Sequence, residues 1–263
     1  MKAMEPLLTY DSVEICFGTV PAVRGVSFSL RPGEILGIVG ESGSGKSTLL
    51  KAALGLLGKS GVVTAGDIWF RDMNLTDMTE RELMRVRGAH VGVIFQDAGA
   101  SFCPIRTIGS QIHECLASHA EISHEEAKAA ALELFTRLNF KEGERVWNSY
   151  PFELSGGMNQ RAAVAAAMLM KPEVLLADEP TSALDSAVQK QVVAELMKLR
   201  EMYGTAIIIV THDIGVVSAM ADGVLVLKKG EAVEYGAARQ VLNSPSSAYT
   251  RELLAAVPKL RRK

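Results

Sequence analysis

Short apolar runs rich in β-branched residues recur along this chain: Ile35 to Val39, Val91 to Phe95, Val174 to Ala177, Ala206 to Val210 and Val224 to Leu227. Runs that are apolar at every position predict strands covered on both faces, hence a parallel sheet with helices packed on either side. Between them the period changes. Val188, Val192, Leu196 and Leu199 fall at helical spacing and form a stripe able to lie on a sheet. Val26 to Leu30 and Asp67 to Phe70 alternate or run short, with Gly61 and Gly66 as turn residues, and predict antiparallel strands in the N-terminal third. From 105 to 158 nothing reads as a strand; there Ser123 and Glu126 have capping-box spacing, and Ala127, Ala131, Leu134 or Phe135, and Leu138 continue at helical intervals. The pattern predicts an α/β core interrupted by a helical insert.

The chain has 263 residues, enough for one large domain or a core with a subdomain, and enough to bury a sizeable interior. Its 28 basic and 30 acidic residues leave a formal charge of −2, so no global positive field points to nucleic acid or an anionic membrane. The longest aliphatic run, Ala162 to Met170, is far shorter than the roughly 18 residues that span a bilayer. Acidic residues within Met1 to Glu14 break the pattern of an export signal, so none is expected. Cys16, Cys103 and Cys115 lack paired spacing, which suits a reducing compartment and offers neither a disulfide framework nor a zinc site.

Gly40-Glu41-Ser42-Gly43-Ser44-Gly45-Lys46-Ser47 follows a predicted strand and precedes a helix predicted over Thr48 to Leu57. That context is the one in which G-x-x-x-x-G-K-[ST] cradles a polyphosphate. Glycines let successive N–H groups turn inward, and the helix N-terminus adds a positive dipole. Lys46 would reach the β- and γ-phosphates, and the Ser47 hydroxyl would hold Mg²⁺. Further on, the apolar strand Val174 to Ala177 ends in Asp178 and Glu179. Asp178 is placed to serve the same metal, and Glu179 to orient and polarise an attacking water.

Leu154-Ser155-Gly156-Gly157-Met158-Asn159-Gln160 presents a hydroxyl and backbone amides where a helix begins, a second anion site on the same chain. Ser182-Ala183-Leu184-Asp185 follows Glu179 closely, and Thr211-His212-Asp213 follows another strand. Each is a weak signal alone; the ordered combination is specific.

On these residues the chain resembles the ATP-binding subunit of ATP-binding cassette (ABC) transporters over nearly its whole length. The matching motifs are the Walker A loop (Gly40 to Ser47, with Thr48 following), the Q-loop at Gln96, the signature Leu154 to Gln160, the Walker B strand to Asp178 and Glu179, the D-loop Ser182 to Asp185, and the switch histidine His212. Phe17 matches the aromatic that stacks on adenine. The resemblance implies a P-loop NTPase cassette: a RecA-like mixed sheet core over about 1–104 and 159–240, an N-terminal antiparallel β subdomain, a helical subdomain over about 105–158 and a tail over about 241–263. It implies ATP and Mg²⁺ as cofactors, with Ser47, Gln96 and Asp178 at the metal and Glu179, His212 and Gln96 in catalysis. It further implies a head-to-tail dimer with an identical or paralogous cassette, in which Ser155 of one chain meets the γ-phosphate held by the other, with Gly156, Gly157 and Asp185 as further nucleotide-binding residues.

Within that family the chain is most similar to the branch that energises bacterial uptake of peptides, nickel and metal chelates, by Gly40 to Gly45, Ala177 to Asp185, Thr211 to Val217 and Tyr249 to Pro258. The branch implies transmembrane permease subunits as partners, a substrate-binding protein acting indirectly, and a place on the cytoplasmic face of the inner membrane. Two segments depart from its pattern: Asp97 to Pro104, with Ala98 where proline is usual and Phe102-Cys103 for Leu-Asn, and Ser247-Ala248 for His-Pro. The alternative is a soluble ABC ATPase of a non-transport complex, such as one of phosphonate breakdown.

Overall fold

The computed structural model describes residues 5–182 and 184–256. Ala183, Val257 and Pro258 of the matched motifs, and the basic run Lys259, Arg261, Arg262 and Lys263, lie outside the described residues. Along the chain come β1 (Leu8–Phe17), β2 (Val20–Leu30), β3 (Ile35–Val39), α1 (Lys46–Ala53), β4 (Gly61–Phe70), β5 (Met73–Asn74) and α2 (Glu80–Val86). Then follow β6 (Val91–Ile94), α3 (Ala98–Ser101), α4 (Ile108–Ala117), α5 (His124–Arg137), α6 (Gly143–Asn148), a 3₁₀ turn at Pro151–Glu153, α7 (Gly156–Met168), β7 (Val174–Asp178) and α8 (Ser186–Tyr203). The last stretch holds β8 (Ala206–Val210), α9 (Ile214–Met220), β9 (Gly223–Lys228), β10 (Glu231–Ala237), α10 (Ala238–Asn243) and α11 (Ala248–Ala255). The described residues separate into two compact units, one up to Leu83 and from Ala206 onward, the other Met84–Thr205.

In the first unit β3 lies between β8 and β9, parallel to both, and β10 pairs antiparallel with β9. Every residue of β3 and β8 is buried, which is why their sequences carry no alternation. A second, antiparallel sheet runs in the order β2-β1-β4-β5. Its strand β1 gave no usable signal because the pairing shifts register between Tyr10 and Val13, where Ser12 takes a φ of 51°. A bulge of this kind moves the apolar positions out of step, so the two-residue period breaks mid-strand. Tyr10 stacks on Phe28 at 4.3 Å and donates its hydroxyl to the Leu49 carbonyl at 2.9 Å, fastening the sheet to α1.

The other unit pairs β6 with β7 in parallel and is otherwise helical. The Ser123–Glu126 capping box forms as its spacing predicts, and Ala127, Ala131, Leu134, Phe135 and Leu138 are all buried. Gly109 allows α4 to rest directly on an indole: a Cβ there would lie 2.3 Å from the Trp147 ring. Arg161 on α7 donates to Glu195 on α8 at 2.6 Å and to the Leu138 carbonyl at 2.8 Å, with its guanidinium 4.0 Å over the Phe140 ring. Burial pushes the Glu195 carboxyl up and Arg161 opposes that push, so the pair survives as a unit rather than as two separable charges.

The tail of the first unit is organised by one carboxylate. Glu234 on β10 accepts from the backbone and hydroxyl of Ser246 at 2.7 and 2.9 Å and from the Ser247 backbone at 3.1 Å, setting the start of α11. Desolvation pushes this carboxyl up, but the Thr250 hydroxyl together with the Ser246 and Ser247 donors outweighs it and holds it down at about 2. Its contribution to stability is therefore complete above the ordinary carboxylate range near 4.5 and lost as pH falls towards 2. Glu234→Gln is expected to melt below wild type at pH 7, with the difference closing as pH falls from 5 to 2; a difference constant across that range overturns the assignment.

Candidate functional site

Glycine conformations build the loop between β3 and α1. Gly40 has a φ of 152°, and a Cβ there would lie 2.2 Å from the Leu227 carbonyl oxygen. Gly45 caps α1 at a φ of 99°, where a Cβ would sit 2.8 Å from the Ala22 carbonyl. The helix consequently starts at Lys46, two residues before the predicted Thr48, and ends at Ala53 rather than Leu57. Gly55 at a φ of 63° carries the chain out of the helix and accounts for the early stop. Lys46, Ser47 and Thr48 thus form the first turn, with their backbone N–H groups at the N-terminal end of the helix.

The loop closes on its own lysine. Lys46 is 7% exposed, and its Nζ donates to the carbonyls of Gly40 and Glu41, both at 2.8 Å. The Ser44 hydroxyl is buried with no hydrogen-bond partner among the described residues, while its carbonyl accepts from Gly230 N–H at 3.0 Å and Gly230 in turn accepts from Arg24 N–H at 2.8 Å. The β9–β10 turn therefore braces the loop from outside. A polyphosphate fits this donor set: first-turn amides at a helix N-terminus, its positive dipole, a buried ammonium and a buried hydroxyl.

In the same unit, Thr211 N–H donates to the Ile38 carbonyl at 3.2 Å, so β8 ends beside the strand that feeds the loop. His212 follows at once and is exposed, while Asp213 caps α9 by accepting from Gly215 N–H at 2.7 Å. Phe17 ends β1 at the tip of the β1–β2 hairpin, half-buried, with Gly61 so close that a Cβ would lie 2.8 Å from its ring.

In the other unit Asp178 ends β7, 6% exposed, and Glu179 takes a φ of 49°. A left-handed non-glycine residue costs roughly 1–2 kcal/mol and persists only where its surroundings enforce it. Here Ser182 does so, its N–H and hydroxyl both donating to the Glu179 carbonyl at 3.1 and 2.9 Å. No sequence pattern announced this turn. Asp185 caps α8, accepting from the Ala187 and Val188 amides at 2.9 and 3.0 Å, so its carboxylate has local work in addition to any contact across a dimer.

Ser155 is the N-cap of α7 and accepts from Met158 N–H at 3.3 Å. Its two glycines differ in kind. A Cβ on Gly157 would lie 2.7 Å from Val188, so that glycine is needed for α7 to pack on α8. Gly156 faces open space, with a φ outside the left-handed region and nothing within 4 Å of a Cβ. Gln96 lies exposed just past β6, which ends at Ile94 rather than Phe95. The departing segment after it is ordered by Asp97, which caps α3 at Ala100 N–H (3.0 Å), and by Gln111, which accepts from Cys103 N–H at 2.7 Å.

A glycine loop wrapped around its own lysine at a helix N-terminus, at the carboxyl end of a parallel strand, is the phosphate-binding device of P-loop nucleotide-binding proteins. The sequence pattern of the ABC transporter family matches residues 23–182. This chain belongs to that family, as one of its ATP-binding cassettes. It is 43% identical over 240 residues to the oligopeptide transport ATP-binding protein AmiE of Streptococcus pneumoniae, covering 91% of this chain and 68% of that protein. It is 41% identical over 261 residues to the dipeptide transport ATP-binding protein DppD of Lactococcus lactis, covering 97% of this chain and 75% of that one. Among solved structures, the ATP-binding cassette MJ0796, a dimer in a post-hydrolysis state bound to ADP and Pi, superposes with a TM-score of 0.77 at 31% identity, covering 88% of this chain and 99% of that one.

Proposed function

We propose that this chain is the ATP-hydrolysing subunit that powers import of short peptides or related small solutes through a membrane permease. The kinship with two peptide-transport ATP-binding proteins carries this reading. It also weighs against a soluble complex of phosphonate breakdown. Phe17 would stack on adenine, Gly40 to Thr48 would enclose the phosphates, and Lys46 would turn its ammonium to the β- and γ-phosphates. Ser47, Gln96 and Asp178 offer a hydroxyl, an amide carbonyl and a carboxylate, an all-oxygen set suited to Mg²⁺, which when bound neutralises developing phosphate charge. Glu179 would accept the proton of a water whose oxygen bonds to the γ-phosphorus as the bond to the ADP oxygen breaks, with His212 contacting the γ-phosphate.

The second half of the site would come from another cassette, identical or paralogous. Gly156 supports this: no neighbour among the described residues crowds it, and it stands at the positive end of a helix beside the Ser155 hydroxyl. A phosphate presented by a partner could approach that backbone closely, which a side chain would prevent. Ser155→Arg is expected to leave ATP binding by the single chain intact and to abolish ATP-dependent dimerisation in size-exclusion chromatography. Dimerisation by that variant as in wild type overturns the trans assignment.

We place the helical subdomain at about 105–158, where α4, α5, α6, a 3₁₀ turn and the first residues of α7 occur and no strand is present among the described residues. Ile105 and Phe152 are 82% and 72% exposed, and Tyr150 stacks on Phe152 at 5.4 Å. Ile108 N–H donates to the Ser149 carbonyl at 2.9 Å and joins the two segments that carry these residues. This apolar face, next to the departing segment Asp97 to Pro104, suits a permease loop. Among the described residues no helix is long and apolar enough to cross a membrane, so attachment to the cytoplasmic face of the inner membrane would run through such a partner. Purification from membranes should recover the chain with its permease; full cellular function in a strain lacking every permease partner overturns the import reading.

A further inference from the structure

The loop is braced from a direction that the nucleotide motifs do not explain. Tyr249, on α11, is buried in a cluster with Val39, Val217, Val224 and Val226, and Val39 is the last residue of the strand entering the loop. Lys228 places its Nζ 4.3 Å from the centre of the Tyr249 ring. The phenol hydroxyl accepts a hydrogen bond from Glu41 N–H at 3.3 Å.

That N–H belongs to the peptide plane joining Gly40 to Glu41, whose carbonyl, that of Gly40, accepts from Lys46 Nζ at 2.8 Å. Tyr249 and Lys46 therefore hold opposite edges of one trans peptide. Gly40 precedes it with the freedom of a residue lacking a Cβ, so rotation of this plane has little intrinsic resistance. A phenylalanine would fill the same apolar volume, so the hydroxyl has a purpose beyond packing. The β10 carboxylate of Glu234 sets the start of α11 through Ser246 and Ser247, which fixes where Tyr249 stands.

We infer that Tyr249 is a positioning residue of the nucleotide loop: its hydroxyl pins the Gly40–Glu41 peptide so that Lys46 is presented at one height to the phosphates. The inference rests on the reading of Gly40 to Ser47 as the phosphate cradle. Without the hydroxyl the peptide can rotate, its carbonyl no longer guides Lys46, and part of the binding energy for ATP goes into reordering the loop.

The test uses the full chain with a fluorescent N-methylanthraniloyl ATP as probe. Tyr249→Phe is expected to bind it about 2- to 10-fold more weakly, the range of one neutral hydrogen bond. In hydrolysis the change should fall on KM, with kcat little altered. Tyr235→Phe removes a hydroxyl bonded to the Ser29 carbonyl elsewhere in the same unit and should bind as wild type does. Wild-type affinity in Tyr249→Phe, or a fall in kcat alone, overturns the inference whatever the melting temperature does. A wild-type chain that fails to bind the probe overturns the reading of the loop itself; wild-type binding with no effect of Tyr249→Phe overturns the present inference alone.

Discussion

Glu179→Gln keeps ATP bound and slows its hydrolysis by roughly 10²- to 10⁴-fold, the range that a positioned general base contributes. Glutamine has nearly the same shape but cannot take the proton of the attacking water. The left-handed turn at Glu179 and the two Ser182 hydrogen bonds on its carbonyl are backbone features, so the substitution leaves the aim of the side chain unchanged. On the proposed dimer, closure around ATP would therefore continue while opening, which depends on losing the γ-phosphate, would not. The expected result is accumulation of an ATP-dependent dimer in size-exclusion chromatography, with phosphate release measured in single turnover. Hydrolysis by the variant at near the wild-type rate would remove Glu179 as the base.

Lys46→Ala has the second large effect, on binding rather than on the chemical step. A hydrogen bond to a charged partner contributes about 1.5–3 kcal/mol, so losing one such contact weakens ATP binding by about 10- to 150-fold. A further cost is built into this loop: Lys46 satisfies the Gly40 and Glu41 carbonyls, and alanine leaves both without that donor. Lys46→Arg should fail nearly as fully, because a planar guanidinium does not fit the place of a compact ammonium that is 7% exposed. Isothermal titration with ATP reads both. Wild-type affinity in Lys46→Ala would mean that the loop holds something other than phosphate.

The two variants draw on features of different legibility. Lys46 was identifiable from residue types and spacing, because the phosphate cradle is local and its glycines, lysine and serine are contiguous. Asp178 and Glu179 were legible as an apolar run ending in carboxylates, but not the positive φ at Glu179, which depends on Ser182 folding back on its carbonyl. The glycines of Ser155-Gly156-Gly157 looked equivalent; only the packing of α7 on α8 separates Gly157, which meets Val188, from Gly156, which meets nothing. Strand β1 is not legible in the sequence because its bulge displaces the alternation, and Tyr249 reads as part of a tail because its partner Glu41 is 208 positions away.

Local order was set by the sequence alone: the buried strands, the capped helices, the glycine loop with its lysine, and the class of ligand they imply. These depend on spacings within a turn or a strand, which residue chemistry decides directly. Tertiary structure alone decided which side chains brace that loop, since the turn at Gly230, the hydroxyl of Tyr249 and the carboxylate of Glu234 reach it through contacts between distant segments. Such contacts are satisfied by many residue types at many separations, so only the folded backbone reveals which ones meet.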